Sequence, residues 1–113
     1  MILYRVENTE NIGCYLAFHC SLEVLEMIAR HEQQYPDVHP NPSNDEGILR
    51  PIDSSEQCAF SDMEQLLDWF TESELEILRE NGFNIVEFEA EVTAIGAKQV
   101  LFKSDSRKDM IKC

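Results

Sequence analysis

Carboxylates are the residues of this chain whose number and spacing most invite a chemical reading. Glu64, Asp68, Glu72, Glu76 and Glu80 recur every four residues, while Glu87, Glu89 and Glu91 alternate with Val86, Phe88, Ala90 and Val92. The first spacing lays its acids along one side of a continuous helix, and the alternation puts the second set on one face of a strand. Gathered on one flank, these groups would compete for a cationic groove. Duplex DNA carries a charge about every 1.7 Å of its axis, whereas one carboxylate per four helical residues gives about one per 6 Å. The helical row alone is therefore too sparse to imitate a nucleic-acid backbone, and mimicry needs the strand glutamates beside it. A solvated acidic face is the plain alternative.

The overall balance strengthens the first reading. The 113 residues hold 22 acids and 9 bases, a formal net charge of -13. Between Asp53 and Glu91 stand twelve acids and a single base, Arg79, while Lys98, Lys103, Arg107, Lys108 and Lys112 all follow that region. Such a field disfavours direct contact with nucleic-acid phosphates or an anionic membrane and favours a protein partner with a basic surface. No apolar run of about 18 residues is present, and "MILYRVENTE" lacks the basic start and apolar core of a secretory signal. A cytoplasmic location is expected.

Other chemistry finds less support. Cys14, His19 and Cys20 invite a metal reading, but no C-x-x-C pair is present, so reduced thiols and no metal are expected. Gly13, Gly47, Gly82 and Gly96 are scattered, with no phosphate-binding loop and no cofactor implied. "HPNPSNDEG" at 39–47 carries turn-forming asparagines and acids beside one titratable histidine. His39 and Asp45 are assigned contacts at the edge of a partner surface.

These residues need elements to hold them. "ILYRV" predicts a strand from Ile2 to Val6, and "CYLAFHC" either a second strand or the approach to a helix. Ser21 caps a predicted helix to about Gln34, with Leu22, Leu25, Ile28 and Ala29 on its apolar face and Pro36 ending it. From about 35 to 58 the periodicity disappears among four prolines, predicting a long loop within one domain of 113 residues. "SDME" with Ser61 as cap and "TESE" with Thr71 predict two short helices or one bent one. Met63, Leu66, Leu67, Phe70, Leu75 and Leu78 supply the apolar face, and Asn81-Gly82 the stop. A strand over "FNIVEFEAEV" then turns at Ala94–Ala97, with Gly96 available for positive φ, into "KQVLF", and the tail from about 104 is expected to fray. The predicted class is α+β, a small antiparallel sheet with helices packed on one face.

Two resemblances add to this reading. Arg5 with "E87-F-E89" resembles the arginine and Glu-x-Glu elements of ADP-ribosyltransferases, with Ser54, Ser55 or Ser61 in the place of their serine. That likeness implies that Arg5 holds dinucleotide phosphates while Glu87 or Glu89 stabilises an oxocarbenium-like centre. The chain is short for that fold and has no Ser-Thr-Ser segment. Across most of its length, "LYRVEN", "HPNPSND", "FSDMEQLLDWF", "ENGFNIVEFE" and "KQVLF" look like the small acidic proteins carried by bacteriophages and prophages. This second likeness implies an inhibitor of host defence or nucleic-acid machinery, an anti-CRISPR protein included, with Glu64, Asp68, Glu72, Glu76, Glu87 and Glu89 at the contact.

Overall fold

Branched and aromatic residues open the chain as β1, Ile2–Glu7, whose partner is the alternating strand β3, Asn84–Glu89. They pair antiparallel with Val6 opposite Ile85 and Tyr4 opposite Glu87, so these four side chains share a face, and Leu3, Arg5, Val86 and Phe88 share the other. The computed structural model describes residues 1–10, 13, 22–33, 39–40 and 42–109. The "CYLAFHC" segment, the Ser21 cap, the Pro36 stop and the Cys14, His19 and Cys20 reading lie outside them.

The architecture is α+β, with two three-stranded antiparallel sheets where the sequence suggested one. The second sheet comprises β2, Glu56–Ala59, with β4, Val92–Ile95, and β5, Val100–Lys103, in the order β2-β5-β4. The run "FNIVEFEAEV" crosses from one sheet to the other, because β3 ends at Glu89 and β4 begins at Val92. Reciprocal hydrogen bonds between Tyr4 and Phe60, 2.9 and 2.8 Å, join the sheets. Three helices cover the Tyr4, Val6 and Ile85 face: α1, Leu22–Gln33; α2, Met63–Trp69; and α3, Glu72–Glu80. The Leu3 and Phe88 face packs on Ala59, Val100 and Phe102 of the second sheet. The first sheet thus has a core on each side, which explains why both faces of β1 are apolar or paired.

Local chemistry sets the helix ends. Thr71 and Glu74 form the predicted capping box, and the Gly82 N–H to Arg79 O and Phe83 N–H to Leu78 O bonds close α3, with Gly82 at φ 87°. At α2 the cap is Asp62, which accepts from the Gln65 N–H at 2.7 Å, and Gln65 Oε1 reaches back to the Ser61 N–H at 2.9 Å. The cap bond lies one residue later than predicted, while the back-bond still ends on the Ser61 N–H. An extended Phe70 separates α2 from α3, so the row of acids runs along two helices.

Three expectations are corrected. α1 buries Val24, Met27 and His31, leaving Leu22 and Leu25 at 72% and 53% exposure and Ala29 exposed. The apolar count missed this face because a histidine supplies one of its buried positions. The long loop ends before 56, where β2 starts. Of the tail from about 104, residues 104–109 carry structure, a 3₁₀ turn, Ser104–Ser106, leading to β6, Lys108–Asp109, which pairs with β3, and 110–113 lie outside the described residues.

Candidate functional site

The predicted acids are outside, and some apolar residues join them. Glu64, Asp68, Glu72, Glu76, Glu80, Glu87, Glu89 and Glu91 are all exposed, and among the described residues none makes an ion pair. Met63 and Leu67, read from sequence as core, are 36% and 44% exposed. They line a shallow groove of about 480 Å³ with Glu72, Leu75 and Glu76 of α3 and Ile85 of β3; Arg79 is its cation. Glu87 lies two residues beyond Ile85 on the same strand face. Glu89 stands directly opposite Lys108 in the sheet, so its contribution to a negative surface is the weakest.

A second set of carboxylates is internal. Glu7, 1% exposed, accepts from Arg5 Nη1 at 2.7 Å and Arg107 Nη1 at 2.9 Å, and Arg107 Nη2 bonds its other oxygen. The Arg107 guanidinium lies 4.3 Å from the centroid of the Phe88 ring. Glu56 takes a bidentate pair from Arg50, 2.7 and 2.8 Å, with the Asp53 N–H and the Thr93 hydroxyl. Arg50 and then Thr93 are the chief reasons that its carboxyl is pulled down to about 2. Arg50 of the loop and Arg107 near the C-terminus are therefore bound to buried acids.

Asp45 belongs to this internal set and not to a partner surface. It is 1% exposed and accepts from the Ala97, Lys98 and Gln99 N–H groups at 2.6 to 3.2 Å. A Cβ on Gly96 would fall 2.6 Å from its carboxylate, so this glycine serves close approach and not positive φ. Gly47, at φ 94° and with Ile95 O 2.4 Å from an added Cβ, completes the clamp of loop on hairpin.

His39 is also buried. Its Nε2–H donates to Trp69 O at 2.6 Å, and its ring stacks on His31 with centroids 3.8 Å apart and planes 9° apart. His31 Nε2 meets Glu74 Oε2 at 2.8 Å. Burial first and His39 second lower the His31 pKa, outweighing the opposing pull of Glu74, so His31 is held neutral. Burial pushes Glu74 upward, but its bonds with Thr71 and His31 bring the net shift below the usual carboxylate value. Both imidazoles line a cavity of about 540 Å³ with Arg5, Cys58, Phe60 and Trp69 among its walls. Burial raises the Cys58 thiol to about 11, which leaves it a poor nucleophile at neutral pH. No periodic signal marks this His31–His39 pair, since His31 lies in the last turn of α1 and His39 in the proline-rich loop.

The ADP-ribosyltransferase-like constellation is not assembled. Arg5 sits opposite Val86 while Glu87 sits opposite Tyr4, so Arg5 and the two glutamates project from opposite faces of one sheet. Arg5 is bonded to Glu7 and Cys58 O, Ser55 to Asp53 and Ser61 to Gln65. Among the described residues no group of three or more His, Cys, Asp or Glu side chains is arranged to hold a metal, and no helix is long and apolar enough to cross a membrane.

Fold and surface together define a small α+β protein that exposes carboxylates on α2, α3 and β3 and pairs others in its interior. The chain belongs to the family described as bacteriophage T4 Y00F protein, which it matches over residues 1–112. No curated protein and no solved structure matches it.

Proposed function

We propose that this phage protein is an inhibitory binding protein which occupies a basic, nucleic-acid-handling surface of a host complex in the host cytoplasm. Membership of a bacteriophage family supports the setting. The observation that carries the reading is the set of exposed carboxylates Glu64, Asp68, Glu72, Glu76 and Glu87, of which Glu72 and Glu76 line a groove that presents Met63 and Leu67. Charge draws the partner in and orients it, and apolar side chains supply the short-range contact that makes a complex last. Helix N-termini contribute to this distribution, since Glu64 and Glu72 lie in first turns, where acids stabilise the helix that carries them. The class of partner is a defence or nucleic-acid enzyme with a cationic channel, CRISPR effectors included, blocked in part by imitation of a nucleic-acid backbone.

Affinity capture from host cells with the wild-type chain and with Glu64, Asp68, Glu72 and Glu76 all changed to lysine tests this. A partner held only by the wild type, displaced by duplex DNA and released as salt is raised, is the expected result. Equal recovery by both chains at both salt levels overturns the proposal.

A further inference from the structure

The cavity beside the stacked histidines has no place in the proposed contact with a partner, and its chemistry is of another kind. Its walls are mostly apolar or aromatic, with Val6, Ile28, Phe60, Trp69 and Phe70 among them. At about 540 Å³ it falls within the usual range for small-molecule sites, roughly 300 to 1,000 Å³. It forms where α1, β1, the proline-rich loop and the end of α2 meet, all elements held by buried bonds.

Two buried polar side chains give it direction. A carbonyl only accepts, so the His39 bond to Trp69 O fixes the proton on Nε2. His39 Nδ1 is then a buried acceptor with no hydrogen-bond partner among the described residues, on a residue 8% exposed. Such atoms are uncommon in folded chains because an unmet acceptor destabilises them. Gln99, 3% exposed, donates its amide to Pro40 O at 2.8 Å, which directs its carbonyl end as a second acceptor. A guest must therefore bring N–H donors. An uncharged guest suits it best: the walls are mostly apolar, and a chain of net charge -13 repels phosphates. Flat rings suit walls made by Trp69, Phe60 and Phe70.

We infer that the cavity between α1, the proline-rich loop and Trp69 binds an uncharged, flat heterocycle bearing N–H donors, of the size of a nucleobase or nucleoside, with His39 Nδ1 as its acceptor. His39 Nδ1 is enclosed in the unliganded chain, so a guest meets it once the side chains around it shift. Because Trp69 is the one tryptophan, its emission reports occupancy directly.

Adenosine, guanosine and adenosine monophosphate are titrated separately into the full chain while Trp69 fluorescence and the imidazole nitrogens of ¹⁵N-labelled protein are followed. At least one nucleoside should give saturable quenching, with His39 Nδ1 shifting toward a hydrogen-bonded acceptor and the monophosphate binding at least about tenfold more weakly. His39→Gln, which keeps a donor for Trp69 O, should weaken binding by about tenfold with its far-ultraviolet circular dichroism unchanged. Absence of saturable binding by both nucleosides, or saturation with no change at His39 Nδ1 in the wild type, overturns the assignment. The Glu64, Asp68, Glu72 and Glu76 substitutions leave this binding intact, so the cavity and the acidic flank are tested independently.

Discussion

The exposed acids of α2, α3 and β3 and the buried acids Glu7, Asp45, Glu56 and Glu74 are the same residue types put to opposite uses. Outside, Glu64, Asp68, Glu72 and Glu76 stand in water with no ion-pair partner among the described residues. Inside, each carboxylate is met by its own donors: two arginines for Glu7, three backbone N–H groups for Asp45, Arg50 with Thr93 for Glu56, and His31 with Thr71 for Glu74. The contrast teaches that the molecule's negative charge divides into a part that closes the fold and a part left over for others. An ionised group leaves water only when its bonds are replaced, so the internal set is expensive to disturb and the external set is nearly free to vary.

Breaking the internal set should give the largest effects. Glu7→Gln removes the carboxylate that Arg5 and Arg107 share in a buried site and should cost about 4 kcal/mol, read as a lower urea midpoint. Asp45→Ala strands the N–H groups of Lys98 and Gln99 and should cost about 3 kcal/mol by the same measurement. Gly96→Ala should destabilise the wild type but add little in the Asp45→Ala background, since the clash is with that carboxylate.

Acid titration sharpens the comparison further. His31 has a folded pKa below 6.5, so below pH 6.5 the unfolded chain takes up protons that the folded chain refuses, and stability falls as pH drops through that window. The contribution of Glu56 is complete above its ordinary value of 4.5 and is lost as pH falls from there toward about 2. Urea midpoints between pH 7 and 5 should decline in the wild type and flatten in His31→Gln, which retains a donor for Glu74. The smallest effect belongs to the flank: Glu76→Gln removes repulsion with Glu72 and Glu80 and should raise stability by about 0.3 kcal/mol in thermal unfolding.

What the sequence made legible follows the range of the interactions involved. β1, the Thr71–Glu74 capping box, the Gly82 stop and the β4–β5 hairpin are set by neighbours within a few residues, and periodicity or turn chemistry reveals them. The Asp62 cap was missed by one position because Ser61 and Asp62 are both good N-caps. Long-range pairing left no local trace. Asp45 finds its donors more than fifty residues away, and "SRKD" looks like a loose tail until Arg107 meets Glu7 across one hundred positions. Of the site, the exposed acids were readable from spacing, whereas the stacked His31 and His39 were not, since a buried histidine in a helix interrupts the very apolar pattern used to find the core.

The Glu7–Arg107 clasp also ties distant parts of the chain to one another. Through it and the pairing of β6 with β3, the segment at 107–109 closes the first sheet that β1 opens. A proteolytic nick between Ser104 and Arg107 would therefore loosen β1, far from the cut in sequence.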